Sequence, residues 1–255
     1  MIQIEKLEWF NFEGALRGMR NPKNSWDRSD SHFLNGCYIG EKDFILAKTL
    51  ILNGSEHRKF LRQIFVSCDV IAPEYFWRQY ETYQIGTTEI STSQMHKLGS
   101  RTLTVDDFSV DDKADPRFIY LLAFINAAIE DWKADKTNEN WRTMFQIIPS
   151  SFLYRRTITL NYEVLSLQYK QRKEDRLIEW IQYLDFMKEN LPYPEFFTME
   201  FEEAKNIENV QTKFDKFNFA GEKCECKREN HKWKTTPPGK TCEICGRYTE
   251  ILDKY

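Results

Sequence analysis

No apolar run in this 255-residue sequence approaches the roughly 20 residues that cross a bilayer, which argues against a membrane-spanning helix. The N-terminus, MIQIEKLEWFNFE, carries acids where a secretory leader carries bases, so the expected location is cytoplasmic. A strong charge of either sign is also missing. The 36 Lys and Arg against 39 Asp and Glu leave a formal −3, which excludes a surface devoted to coating nucleic acid and leaves room for a local basic patch. Cysteine is scarce over most of the chain: Cys37 and Cys68 stand alone, while Cys224, Cys226, Cys242 and Cys245 crowd the tail, a distribution of metal binding in a reducing compartment and not of a disulfide framework. Internal repeats and long low-complexity segments are lacking. The acidic run DDFSVDDKADP, Asp106 to Pro116, lacks the twelve-residue calcium-loop pattern and reads as a solvated loop.

What the chain does have is apolar and aromatic side chains, 41% and 15% of its residues, enough for a sizeable core. The stretch Ile71 to Lys97 is its most informative part. Ile64, Val66, Cys68 and Val70 alternate as one face of a strand, and Ala72-Pro73 ends it because proline lacks a ladder N–H. Pro73 then opens a helix whose aromatic residues, Tyr75, Phe76, Trp77, Tyr80 and Tyr83, recur at i, i+3, i+4 and leave Arg78 directed elsewhere. Gly86-Thr87-Thr88 breaks this helix. Ser91, Thr92, Ser93 and Gln94 then offer hydroxyls, an amide and backbone N–H groups with no apolar duty, a segment suited to a small anion or polar ligand.

Elsewhere the pattern predicts a strand over Ile2 to Phe10, a basic surface loop over GALRGMRNPKNSWDRSDS, and an amphipathic helix from Asp43 to Leu52 stopped by Asn53-Gly54. Further helical periodicity covers Phe118 to Lys133, Trp141 to Ile148, and one long segment from Asn161 to Met187. On the last, the ordinary role of Arg172 is a pair with Asp175 or Glu179. The expected organisation is a domain over 1–200, a linker or peripheral helix over 201–220, and a small zinc ribbon over 221–255. In the ribbon, Cys224-x-Cys226 and Cys242-x-x-Cys245-Gly246 can meet around one tetrahedral Zn²⁺, with His231 an alternative fourth ligand. Its contact with protein or nucleic acid is left open.

The order of His57, the strand to Ala72-Pro73, Arg78-Gln79, Ile148-Pro149, Asn161-Tyr162-Glu163 and Arg172 resembles the flavin-dependent thymidylate synthases over roughly residues 12–190. The resemblance implies an α+β fold, a mostly antiparallel sheet packed with long helices, in a homotetramer with sites between subunits. It implies one-carbon transfer, methyl or hydroxymethyl, to C5 of a pyrimidine deoxynucleotide such as deoxyuridylate (dUMP), with FAD as cofactor and methylenetetrahydrofolate as co-substrate. Carried onto this sequence, Arg78, Gln79, Ser93 and Gln94 would hold the nucleotide, and Arg172 would act on the uracil carbonyl with Ser91 or Thr92 nearby. His57, Thr82, Tyr83, Gln84 and Asn161 would face the flavin; the family's Arg-His-Arg run is Thr82-Tyr83-Gln84 here, and its Ser-x-Arg is Thr92-Ser93-Gln94. Loss of those bases fits the alternative of a catalytically silent, nucleotide-binding relative that acts through its ribbon.

Overall fold

A computed structural model describes residues 2–34, 36–93 and 97–199, and the backbone of 233–236, 239–242 and 248–250. The chain divides into two compact units, Met1–Met199 and Glu200–Tyr255. The first is α+β. Its four-stranded sheet has the order β1-β2-β4-β3, from β1 (Gln3–Phe10), β2 (Phe65–Pro73), β3 (Thr88–Ser91) and β4 (Leu153–Asn161), and every pairing is antiparallel. The alternation in β2 is the one its sequence dictates: Val66, Cys68, Val70 and Ala72 are buried together with Ile64 just before it. Among the described residues no helix is long and apolar enough to cross a membrane.

The helices supply the other side of the core. They are α1 (Phe12–Arg20), α2 (Glu41–Leu52), α3 (Glu74–Tyr80), α4 (Pro116–Ala134), α5 (Asn138–Gln146), α6 (Tyr162–Arg172), α7 (Ile178–Asn190) and α8 (Glu195–Thr198). Pro73 caps α3, and Phe76, Trp77 and Tyr80 are buried on it, joined by Tyr83 just beyond. A second, smaller cluster gathers Leu98, Leu103, Phe108, Leu122, Ile125, Ile129 and Met144 between α4, α5 and the loop before them.

Four expectations change. The segment predicted as a basic loop contains α1, because Phe12, Ala15, Leu16 and Met19 fall at helical spacing and bury one face. The long segment Asn161 to Met187 is two helices. Lys173 to Leu177 breaks it, with Asp175 accepting from the Leu177 amide, and this charged turn has no apolar stripe to continue. Leu153–Asn161, to which the sequence reading gave no element, is β4, one of the sheet's two inner strands, and Thr88–Ser91 pairs with it. The acidic run is not simply solvated. Asp107 closes a capping box with Thr104 and pairs with Arg101, while Asp115 caps α4 through the Arg117 amide. In the second unit, β5 (Trp233–Thr236), β6 (Gly239–Cys242) and β7 (Tyr248–Glu250) form an antiparallel sheet. The predicted linker 201–220 and the ribbon residues Cys224, Cys226, His231 and Cys245 lie outside the described residues, and Cys242 is described only as backbone in β6.

Candidate functional site

Three of the predicted residues meet at one place. The C-terminus of α6 carries Arg172 to the Tyr83 hydroxyl, to which its Nε donates at 3.0 Å, and to Asp175, to which an Nη donates at 2.7 Å. The same guanidinium lies over the Trp180 ring, 5.4 Å from its centroid. The Trp180 indole N–H in turn donates to the Gln79 amide oxygen at 2.7 Å, and the Tyr83 hydroxyl donates to Gln171 at 2.9 Å. Gln79, Tyr83 and Arg172 therefore form one hydrogen-bonded group around a buried tryptophan, although 93 positions separate the first from the last (172 − 79). Burial opposes the charge on Arg172, but Asp175 and Tyr83 outweigh it and hold the guanidinium's pKa above its ordinary value.

Arg78, the neighbour of Gln79 on α3, is open to solvent. It is 65% exposed and pairs with Glu74 one turn back at 2.9 Å. Ser91, Thr92 and Ser93 are exposed at the end of edge strand β3, and Gln94 lies outside the described residues. The Thr92 N–H donates to the Arg155 carbonyl at 2.9 Å, so this amide continues the sheet and is not available to an anion, contrary to the sequence expectation. Four of the predicted flavin positions are placed individually. His57 and Gln84 are exposed; the Thr82 hydroxyl donates to the Gln79 carbonyl at 2.7 Å; and Asn161 caps α6 by accepting from the Val164 amide. Between their two segments, Arg58, beside His57, pairs at 3.0 Å with Glu163, two residues beyond Asn161.

Sequence reasoning missed Arg156. It occupies a core-facing position of β4, opposite Val70, with its guanidinium 4.6 Å from the Trp77 ring centroid. Glu81 and Glu89 each accept from it at 2.8 Å. The signal was an arginine where alternation through Tyr154, Ile158 and Leu160 calls for an apolar residue. Its consequence is electrostatic. Each arginine of the site has an acidic partner: Arg78 has Glu74, Arg172 has Asp175, and Arg156 has two. The three arginines and their four carboxylate partners sum to −1, and an anion that takes any of these guanidiniums competes with a carboxylate. The cheapest to displace is Glu74, because an exposed i,i+4 pair contributes only about 0.3–0.5 kcal/mol.

The residues at the flavin positions do not fit the pyrophosphate of a dinucleotide. Apart from His57 none can carry positive charge, and Thr82, Tyr83 and Asn161 already use their side chains within the chain. Two clefts among the described residues lie elsewhere. A cleft of about 420 Å³ opens between β1, α1 and the loop at Phe33 to Cys37, and a smaller one adjoins it near Arg20 and Trp26. Among the described residues no cluster of His, Cys, Asp and Glu suits a metal ion.

No protein-family model and no curated protein sequence matches the chain. Its fold does match solved structures. Helicobacter pylori flavin-dependent thymidylate synthase ThyX, complexed with FAD and dUMP, superposes with a TM-score of 0.62 at 13% identity, covering 78% of this chain and 98% of that one. A UMP/dUMP methylase, PolB from Streptomyces cacaoi, bound with 5-Br dUMP, gives 0.52 at 13% identity over 74% and 89%. The chain has the flavin-dependent thymidylate synthase fold, in a form far diverged in sequence from these two.

Proposed function

From that shared fold we propose that the chain binds a pyrimidine deoxynucleotide such as dUMP and serves one-carbon transfer, methyl or hydroxymethyl, to its C5. The observation that carries the reading is the Gln79–Trp180–Arg172–Tyr83 group, in which a guanidinium is fixed from two sides at the end of a helix. An arginine already balanced by Asp175 suits a neutral carbonyl better than a phosphate. It donates hydrogen bonds without demanding an anion, and it stabilises negative charge that develops on the carbonyl oxygen during attack at the ring. The phosphate falls to Arg78, whose exposed pair with Glu74 opens at small cost and whose fork can bind two phosphate oxygens. Ser91, Thr92, Ser93 and Gln94 contribute side-chain polarity and no positive charge. FAD and methylenetetrahydrofolate are the co-reactants this reading calls for. Since the residues at the flavin positions lack the charge a dinucleotide needs from this chain, a homotetramer, with a neighbour completing the site, is part of the same proposal.

The second reading is a catalytically silent relative that keeps the nucleotide and has given up the flavin. The commitment of Thr82 and Tyr83 to internal hydrogen bonds favours it. Adding flavin to the purified protein and titrating with dUMP separates the two. A flavin absorption band perturbed by the nucleotide is the result expected for transfer. Nucleotide binding without flavin binding leaves the silent relative, and binding of neither removes both.

The tail's cysteines, Cys224, Cys226, Cys242 and Cys245, with His231 as alternative, are proposed to hold one structural Zn²⁺ and to present a protein- or nucleic-acid-binding surface. Four thiolates complete the ion's tetrahedral coordination and fix a fold too small to form on apolar burial alone. Cys242→Ser should release about one equivalent of zinc while the melting of the first unit stays put. An unchanged metal content would remove the ribbon.

A further inference from the structure

Helix α4 buries only half of what its sequence offers. Leu122, Ile125 and Ile129 face the smaller cluster, while Tyr120 and Phe124 stand 70% and 71% exposed, with Leu121 and Ala127 open to solvent beside them. These four lie on one stripe with Arg117 and Asp131, since 117, 124 and 131 are successive heptad positions. Scattered exposed apolar residues are ordinary, but two adjoining aromatic rings and a leucine on one face of a rigid helix are a patch.

The charges say what covers it. Arg117 and Asp131 stand seven residues either side of Phe124 and both are exposed; Arg117, 92% exposed, holds Asp115 of its own chain in a weak, solvent-screened surface pair, which leaves the outer side of its guanidinium to a second carboxylate. Two α4 helices laid antiparallel about a two-fold axis at Phe124 bring each Arg117 to the other copy's Asp131 and each Leu121 to the other's Ala127, a large side chain over a small one. The sequence is therefore self-complementary about Phe124 in both charge and volume, which is the requirement of an isologous interface. Parallel pairing would set like charges together. We infer that α4 pairs antiparallel with α4 of a second copy of this chain, through Tyr120, Leu121, Phe124 and Ala127, flanked by two symmetry-related Arg117–Asp131 ion pairs. This deepens the oligomeric part of the reading above and owes nothing to the nucleotide.

Sedimentation of the full chain over a range of concentrations tests it. The wild type should sediment as a dimer or a larger even-numbered assembly. Phe124→Asp should weaken association at least about 30-fold, the loss usual for a central aromatic anchor. Arg117→Glu and Asp131→Arg should each weaken it about tenfold, and the two together should restore it. Thermal melting by circular dichroism checks that each variant folds, with Tyr120→Lys as a second probe of the apolar stripe. A monomeric wild type overturns the inference and the homotetramer with it, while nucleotide binding by that monomer would leave the nucleotide reading standing. An assembly that Phe124→Asp and Tyr120→Lys leave intact, or a double charge swap no better than its parts, overturns the α4 pairing alone.

Discussion

Arg172→Ala is expected to weaken dUMP binding about 100-fold, the scale of a lost charged hydrogen-bond donor, while the protein remains folded. The side chain is about one fifth exposed, and its removal takes away one hydrogen bond to Tyr83 and one ion pair to Asp175 without emptying the core. The expected stability loss is therefore about 1 kcal/mol. Isothermal titration with dUMP, beside a thermal melt, separates the two effects. Arg172→Lys should not restore affinity, because a lysine cannot reach Tyr83, Asp175 and a carbonyl together with one planar fork. Unchanged affinity in the alanine variant would take the nucleotide away from this group of residues, whatever happens to flavin.

The largest loss of stability is expected far from that site. Asp43 on α2 is fully buried and holds Arg20 at 2.5 Å, while Ser29 and Ser31 donate to its other oxygen at 2.5 and 2.6 Å. Asp43→Ala strands a buried guanidinium and two hydroxyls, and breaking such a pair from one side costs about 3–5 kcal/mol. The pair also has a pH signature. Burial pushes the Asp43 carboxyl up, but the hydrogen bonds from Ser29, Ser31 and Arg20 and the charge on Arg20 outweigh it, so the carboxyl sits below its ordinary value. A depressed folded pKa means stability that is complete above the unfolded carboxylate's pKa of about 4 and is lost as pH falls through the folded value. The gap in melting temperature between wild type and Asp43→Asn should be constant near neutrality and narrow below about pH 4. A gap that is indifferent to acid, or a stable Asp43→Ala, would mean that the ion pair does little for α1 and α2.

Local patterns carried much of this architecture. Alternation from Ile64 to Val70, the stop at Pro73, the aromatic face of α3, the limits of α2 and the periodicity of α4 are all properties of neighbours in sequence. A proline's missing N–H or a 3.6-residue repeat acts wherever the segment ends up. The antiparallel sheet with helices and the thymidylate-synthase-like fold were read from the order of Ala72-Pro73, Arg78-Gln79 and Arg172, and the superposition bears out the fold. Tertiary structure decided where charge goes. Arg156 is a charge in an apolar register, and its partners appear only when β4 is set against Val70 and over Trp77; only then do Glu81 and Glu89, 75 and 67 positions away, meet it. Arg20 belongs to a basic loop in the sequence and to a buried ion pair in the fold, since the carboxylate that draws it inward lies 23 residues on. Periodicity fixes which face of a segment is apolar, but an ion pair requires two segments to meet, and that is settled only when the core closes.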